Sequence, residues 1–129
     1  MQEAGIRIGL HSHRHRFPHD HVQARAELED NRAAVEPVIG KKMVDFCYPS
    51  GDWSIVHWPV LRANGVESAT TCDSGLVYRD TAPFGLPRIL DDRRVSKIEF
   101  EAELYGFSEL IRRLRGRRPP RVQISEEVT

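Results

Sequence analysis

Long apolar runs and a secretory leader are both absent from this sequence. None of its apolar stretches approaches the ~20 residues that a membrane-spanning helix needs, which argues against a helical membrane protein. Residues 1–5 have neither the basic stretch nor the apolar core of a signal peptide. For the chain as given, this favours a cytoplasmic location, although a missing beginning would leave the location open.

The sequence also lacks an excess of charge and a set of cysteines. Its 19 Lys and Arg residues balance 19 Asp and Glu residues, so bulk attraction to nucleic acid is not indicated. Two cysteines, Cys47 and Cys72, do not make a disulfide framework, and free thiols are typical of a reducing compartment. The 129 residues, 40% of them hydrophobic and 29% charged, indicate one modest globular domain without internal repeats.

Histidine is concentrated in one place. His11, His13 and His15 follow an apolar segment, and imidazole is a common ligand of zinc. In a strand, residues four apart are separated by roughly 13 Å, so His11 and His15 can share a metal only if the chain turns helically after His11. An extended chain would place the three side chains on one face and favour His11 with His13. A solvated loop that binds no metal is the third alternative.

Predicted strands and helices alternate along the chain. The strands span residues 6–10, 43–48, 66–71 and 86–90, and the helices span residues 20–39, 54–64 and 98–114. This alternation predicts an α/β fold with parallel strands and outer helices. Functional sites in such folds lie beyond the carboxyl ends of the strands. Residues 11–15, 48–52 and 71–75 are predicted to meet there.

Several side chains have predicted environments. In the first helix, Val22, Leu28, Val35 and Ile39 are predicted to face inward, with Pro37 distorting the last turn. In the last helix the predicted apolar stripe is Leu104, Phe107, Leu110, Ile111 and Leu114. His19 and His21 are predicted to be exposed, and His57 to lie at the surface or to be partly buried.

Four segments resemble, in their order and spacing, the later part of a polysaccharide deacetylase domain, also called NodB-homology or carbohydrate esterase family 4. They are IGLHSHRH at residues 8–15, FCYPSGD at 46–52, ATTCDSG at 69–75 and LPRI at 86–89. The resemblance implies a partial (β/α) barrel of the NodB-homology type over residues 1–115, and we expect residues 116–129 to form a disordered tail. It also implies hydrolysis of the acetamide C–N bond of N-acetylated polysaccharides or oligosaccharides, a hydrolase reaction at a carbon–nitrogen bond that is not a peptide bond.

The resemblance assigns roles to individual residues. The family's His-Ser/Thr-x-x-His motif maps onto residues 11–15, which implies that His11 and His15 bind a divalent metal, usually zinc, with Ser12 supporting the loop by hydrogen bonding. The turn with Tyr48, Pro49, Ser50, Gly51 and Asp52 is expected to line the substrate groove. The Ser50 N–H is the candidate donor to the oxyanion formed on attack at the acetyl carbonyl.

The family pattern also includes groups that this sequence lacks. Its third metal ligand and catalytic base are adjacent aspartates on an earlier strand, many members carry an arginine where this chain has Cys47, and no histidine follows residues 86–89. Asp91 and Asp92 stand there instead and are expected to cap the next helix, whereas Asp73 is expected in a turn. We therefore expect a chain truncated at its start that is weakly active or inactive.

Two further hypotheses come from other functional classes. The chain could be a noncatalytic remnant of the fold that binds a glycan or a partner, with self-association through a sheet edge exposed by the missing strands. Alternatively, His11, His13 and His15 could form a small metal-binding module without hydrolysis.

Overall fold

Four parallel backbone segments form the sheet of this chain. The computed structural model describes residues 5–116. Strand β1 (Asp45–Cys47) pairs with strand β2 (Ser68–Thr70), and single parallel bridges join Leu10 to Phe46 and Leu86 to Thr70. The four segments therefore lie side by side in chain order, and the predicted α/β class is confirmed. The partial barrel stays a prediction.

The outer two segments are shorter than the strands predicted at residues 6–10 and 86–90. Leu10 pairs through its N–H, which donates to the Asp45 carbonyl, and through its carbonyl, which accepts the Cys47 N–H. The Leu86 N–H donates to the Ala69 carbonyl, and the Leu86 carbonyl accepts the Thr71 N–H. The next N–H on this side of the segment is that of Arg88, and it donates to the Asp73 carbonyl at 2.9 Å. This bond lies outside the regular register, so regular pairing ends after Leu86.

Helix α1 (His21–Ile39) follows the predicted limits closely. The Asp20 side chain accepts the Gln23 N–H, and Gly40 ends the helix in the left-handed conformation at φ 66°. The buried face consists of Ala24, Glu27 and Leu28, the i, i+3, i+4 spacing of one helix face. Val22 is 78% exposed, so its predicted inward position is wrong, because it lies two residues before Ala24 and therefore on the opposite side.

The second predicted helix is divided in two. A 3₁₀ turn (Ile55–His57), capped by the Ser54 side chain, leads into helix α2 (Trp58–Ala63). Pro59 lies in the first turn of α2, where its missing N–H costs no helical hydrogen bond. The proline therefore marks the start of a helix and not a kink inside a longer one.

The last predicted helix is also two helices, α3 (Lys97–Leu104) and α4 (Phe107–Leu114). Gly106, at φ 74°, stands between them, and a left-handed glycine ends a helix. Ser96 caps α3 with Glu99 in a reciprocal capping box. The helix cap is thus Ser96, whereas Asp92 accepts the Arg94 N–H in the preceding turn, which corrects the role expected for Asp91 and Asp92.

The predicted apolar stripe of the last helix does not face the core. Its members Leu104, Phe107, Leu110 and Leu114 are all more than half exposed, at 53%, 55%, 52% and 75%. The predicted stripe assumes one continuous helix. The break at Gly106 separates Leu104 from the other members, so the predicted spacing does not hold across it. In α4, the Glu109 side chain is buried, at 5% exposure.

The core lies between α1, the sheet and α2. Its buried members include Leu10, Phe17, Leu28, Met43, Phe46, Tyr48, Leu61 and Phe84. The Phe17 ring centre lies 4.8 Å from that of Phe46 and 4.8 Å from that of His57. His57 is fully buried, so the predicted surface or partly buried position is wrong. No signal in the sequence indicates that this imidazole packs among aromatic rings.

Three smaller expectations have clear outcomes. Cys47 and Cys72 are free thiols, as expected. The predicted tail, residues 116–129, lies outside the described residues except for Gly116. Among the described helices, none is both long enough and apolar enough to cross a membrane.

We predict that His57 makes the fold sensitive to acid. Burial, with repulsion from His19, lowers the pKa of His57, and its Nδ1 accepts the Ser54 N–H, so the folded state holds a neutral ring. A histidine whose pKa is lowered on folding contributes stability above its unfolded value of about 6.5, and this stability is lost as the pH falls towards the lowered pKa. Urea unfolding at pH 7.5 and 5.5 should show a larger loss for the wild type than for His57→Gln. The exposed His13→Gln should keep the wild-type loss, and an equal loss in all three proteins would contradict the prediction.

Candidate functional site

The structure brings His11 and His15 together at the carboxyl end of the Leu10 segment. Their ring centres lie 5.0 Å apart, with the rings tilted by 60°. His11 is partly buried, whereas His13 and His15 are exposed. Of the two pairs that the spacing left open, this arrangement favours His11 with His15 as groups that can face one ion.

The chain reaches this arrangement by a bend and not by the helical turn that the spacing argument required. Residues 13–15 form the bend. Ser12, just before it, has φ 78°, and His15, its last residue, has φ 54°. Left-handed backbone at residues other than glycine is uncommon and costs free energy. Other contacts must therefore hold the loop in place.

A buried carboxylate on α1 supplies those contacts. Glu27, 2% exposed, accepts the backbone N–H groups of His13 and Arg14 at 3.0 and 2.8 Å through one oxygen. Its other oxygen accepts from the Arg14 and Arg16 side chains at 3.0 and 3.4 Å. One turn further along α1, Asn31 accepts the His11 N–H at 3.2 Å. The inner face of α1 therefore fixes the loop through its backbone.

Glu27 is ionised at neutral pH. Burial alone would raise the pKa of Glu27, but the hydrogen bonds from Arg14 and Arg16 outweigh burial and hold the pKa below its usual value. Glu27 is not among the site residues predicted from the sequence. The available signal was an acidic residue beside Leu28 on the face of α1 predicted to turn inward.

His11 is oriented by the neighbouring strand. Its Nδ1 lies 2.8 Å from the carbonyl oxygen of Cys47 at the end of β1. A carbonyl oxygen can only accept, so Nδ1 carries the proton and Nε2 keeps its lone pair. Fixing one imidazole nitrogen in this way leaves the other available to a metal.

Ser12 does not act as expected from the resemblance. Its hydroxyl is buried and has no hydrogen-bond partner among the described residues. Ser12 contributes to the loop through its left-handed backbone, so its predicted supporting hydrogen bond is wrong.

The turn after β1 contains a backbone donor without an acceptor in the described part of the chain. Ser50 is exposed and left-handed at φ 55°, and within the described part of the chain its N–H donates to no protein acceptor. The turn is closed by the Gly51 N–H, which donates to Tyr48, and by the Asp52 N–H, which donates to Pro49, each at 3.1 Å. A free N–H on a rigid turn is a suitable donor to a developing negative charge.

The other residues predicted to line the groove differ in exposure. Tyr48 is fully buried and Pro49 is buried, whereas Asp52 is exposed. The Tyr48 hydroxyl donates to the Phe84 carbonyl at 2.9 Å, and burial raises the pKa of this phenol far above its usual value. Tyr48 thus supports the turn from the core side, and its side chain presents no surface to a ligand.

No third metal ligand accompanies the histidine pair in residues 5–116. Within that range, no group of three or more His, Cys, Asp or Glu side chains is placed to hold an ion. Asp73, which follows β2, instead accepts the Trp53 indole N–H at 2.9 Å. The structure therefore places two imidazoles together, and no carboxylate from residues 5–116 joins them as a ligand.

One comparison decides the family. The family model described as polysaccharide deacetylase matches residues 1–69, just over half of the chain. The chain belongs to the polysaccharide deacetylase family. The match includes the histidine loop and the turn at residues 48–52, and it supports a deacetylase-like hydrolase with a carbohydrate substrate. The segments at residues 71–75 and 86–89 lie beyond it. No curated protein matches the chain significantly.

We predict that Glu27→Gln loosens the histidine loop. The amide keeps the shape of the side chain but loses the charge-assisted bonds to two backbone N–H groups, which should lower the free energy of unfolding by about 1–3 kcal/mol. Hydrogen exchange of the His13 and Arg14 amides should accelerate. Glu29→Gln is the matched control, because Glu29 is exposed and pairs with the exposed Arg25 on α1, so it should change stability by less than about 0.5 kcal/mol. Equal effects of the two variants would contradict the role given to Glu27.

We predict that Gly51 cannot be replaced without displacing the turn. Gly51 adopts φ 70°, and an added Cβ would lie 2.7 Å from the Cys72 Sγ. Gly40→Ala is the matched control, since Gly40 has φ 66° but open space around an added Cβ. Gly51→Ala should lower the free energy of unfolding by about 1–3 kcal/mol more than Gly40→Ala, measured by urea unfolding. If the two losses are equal, the contact with Cys72 imposes no constraint.

Proposed function

We propose that this chain is the metal-site portion of a metal-dependent polysaccharide deacetylase that hydrolyses the acetamide C–N bond of N-acetylated sugars. The observation that carries the proposal is the pair His11 and His15, whose ring centres lie 5.0 Å apart. The Glu27 carboxylate holds their loop by accepting two of the loop's backbone N–H groups. The four parallel segments in chain order are compatible with the partial (β/α) barrel proposed for residues 1–115.

The residues present fit a divalent cation in part. Nδ1 of His11 is hydrogen-bonded to the Cys47 carbonyl. The two proposed protein ligands are therefore Nε2 of His11 and a nitrogen of His15. Zinc is the ion we propose, and it takes about four ligands. Residues 5–116 supply no third protein ligand beside this pair, so water or a carboxylate from outside these residues would complete the coordination.

The chemistry of the proposed site combines two groups. A divalent cation held by His11 and His15 would supply Lewis-acid polarisation of the acetyl carbonyl. The Ser50 N–H then donates to the carbonyl oxygen as it gains negative charge, while Gly51 and Asp52 hold the turn closed through their backbone. We propose Tyr48, Pro49, Gly51 and Asp52 as the frame of the substrate groove, with Tyr48 and Pro49 acting from beneath.

A second candidate function is favoured by one observation. Because residues 5–116 provide no carboxylate beside the histidine pair, this part of the chain contains no evident base to activate water. A noncatalytic member of the family that binds a glycan or a partner would need no such base. Self-association through the sheet edge at Leu10 remains a prediction of the same hypothesis.

We predict that the chain binds one zinc or cobalt ion through His11 and His15. Isothermal titration with zinc, and cobalt absorption spectra, should show His11→Ala and His15→Ala each weakening binding by about 100-fold or more, since even the loss of a partner that only orients a ligand costs 10–100-fold. His13→Ala is the control and should bind normally. Binding that survives His15→Ala but not His13→Ala would support the alternative pair of His11 with His13, and no binding by the wild type would contradict the proposal.

Acetate release from chitin or peptidoglycan oligomers separates the two candidate functions. Release that depends on zinc and disappears in His15→Ala would support the deacetylase. Retention of an oligomer without acetate release, with the same affinity in the wild type and in His15→Ala, would support the noncatalytic binder.

A further inference from the structure

The carboxyl edge of the sheet carries a second group of side chains beside the histidine loop. Going across the sheet in chain order, the row at the carboxyl ends of the four parallel segments is His11, Cys47, Cys72 and Arg88, with Cys72 and Arg88 each two residues beyond their last paired residue. Cys47 links the two ends of this row, because its carbonyl holds His11 and its thiol lies near Arg88. Arg88 therefore returns across the edge towards the histidine pair.

Arg88 is held in this position by sulfur and by backbone. Its Nη2 donates to the Cys72 Sγ at 2.9 Å, and its backbone N–H donates to the Asp73 carbonyl at 2.9 Å. Hydrogen bonding to Cys72, with a smaller contribution from Cys47, raises the pKa of the guanidinium above its already high value. The group therefore carries its charge at every pH at which the fold would be studied.

This cation has no anionic partner among residues 5–116. None of the ion pairs in this part of the chain includes Arg88, and its Nε is buried without a hydrogen-bond partner. The Arg88 side chain as a whole is only partly buried, but buried N–H groups such as its Nε–H normally find an acceptor. Thiols are weak acceptors. A guanidinium with an unused Nε–H offers the fork geometry that suits a carboxylate.

We propose that Arg88 is a carboxylate-binding group at the carboxyl edge of the sheet. Two sources share this chemistry: a carboxylated sugar, and the acetate that deacetylation releases. Binding itself does not depend on the proposed function; only the choice of these two sources rests on it. If the sugar is the source, the site would prefer N-acetylated polymers that also carry acidic groups.

The test is a nuclear magnetic resonance titration of the full chain in the presence of a chelator, so that no metal contributes. Sodium acetate and glucuronate are added separately, with glucose and sodium chloride as controls. We expect the Arg88 Nε–H resonance and the Asp73 amide to shift with either carboxylate and not with glucose or chloride. Arg88→Gln should weaken binding at least about tenfold, as expected for the loss of a charge-assisted hydrogen bond.

Two further variants keep the result interpretable. Arg88→Lys retains the charge and should keep weakened binding even if Arg88→Gln unfolds, since an ammonium lacks the fork of the guanidinium. The exposed Arg79→Gln removes the same charge elsewhere and should bind like the wild type. Tighter binding of glucuronate than of acetate assigns the site to substrate, and equal binding assigns it to product.

The proposal is overturned if no carboxylate shifts the Arg88 signals, or if a folded Arg88→Gln binds as tightly as the wild type. Its failure is distinguishable from failure of the proposed function, because the titration contains no metal. Zinc binding through His11 and His15 without carboxylate binding would reject Arg88 alone. Carboxylate binding without zinc binding would reject the metal site alone.

Discussion

The contact between the Glu27 carboxylate and the backbone of the histidine loop is the constraint on which the candidate site depends. The loop contains two left-handed residues, Ser12 just before its bend and His15 at the end of it, and this conformation would not persist without partners. Glu27 meets the need from inside the protein, where its charge is exposed to little water and is balanced by Arg14 and Arg16. The cost of burying a carboxylate is thereby offset by hydrogen bonds that fix the loop.

This arrangement couples the fold to the site. The residues flanking Glu27 on the inner face of α1, Ala24 and Leu28, pack in the core, so the position of the carboxylate follows from the packing of the helix. On the opposite side of the loop, the Cys47 carbonyl fixes the ring of His11. The histidine pair is therefore held between α1 and β1, and a change in the packing of either element would be expected to move it.

The sequence predicted the α/β class, the limits of α1 and the neighbourhood of the two histidines, because these depend on local signals: alternation, an Asp cap, a closing glycine and a short motif. It did not predict the break at Gly106, although the glycine was visible, because the apolar spacing across it suggested one helix. The buried places of His57 and Glu27 were also missed. A polar side chain that enters the core does so through partners distant in sequence, such as Phe17 for His57 and the loop for Glu27.

The order of the sheet has a consequence for how the chain is made. Each parallel segment lies beside the one that precedes it in the chain, from Leu10 through β1 and β2 to Leu86. During synthesis, every new segment therefore leaves the ribosome after its partner has already emerged. The pairing of Leu10 with β1, which positions the histidine loop, can form before β2 has been synthesised. Both elements that hold the loop, α1 and β1, have emerged from the ribosome by then.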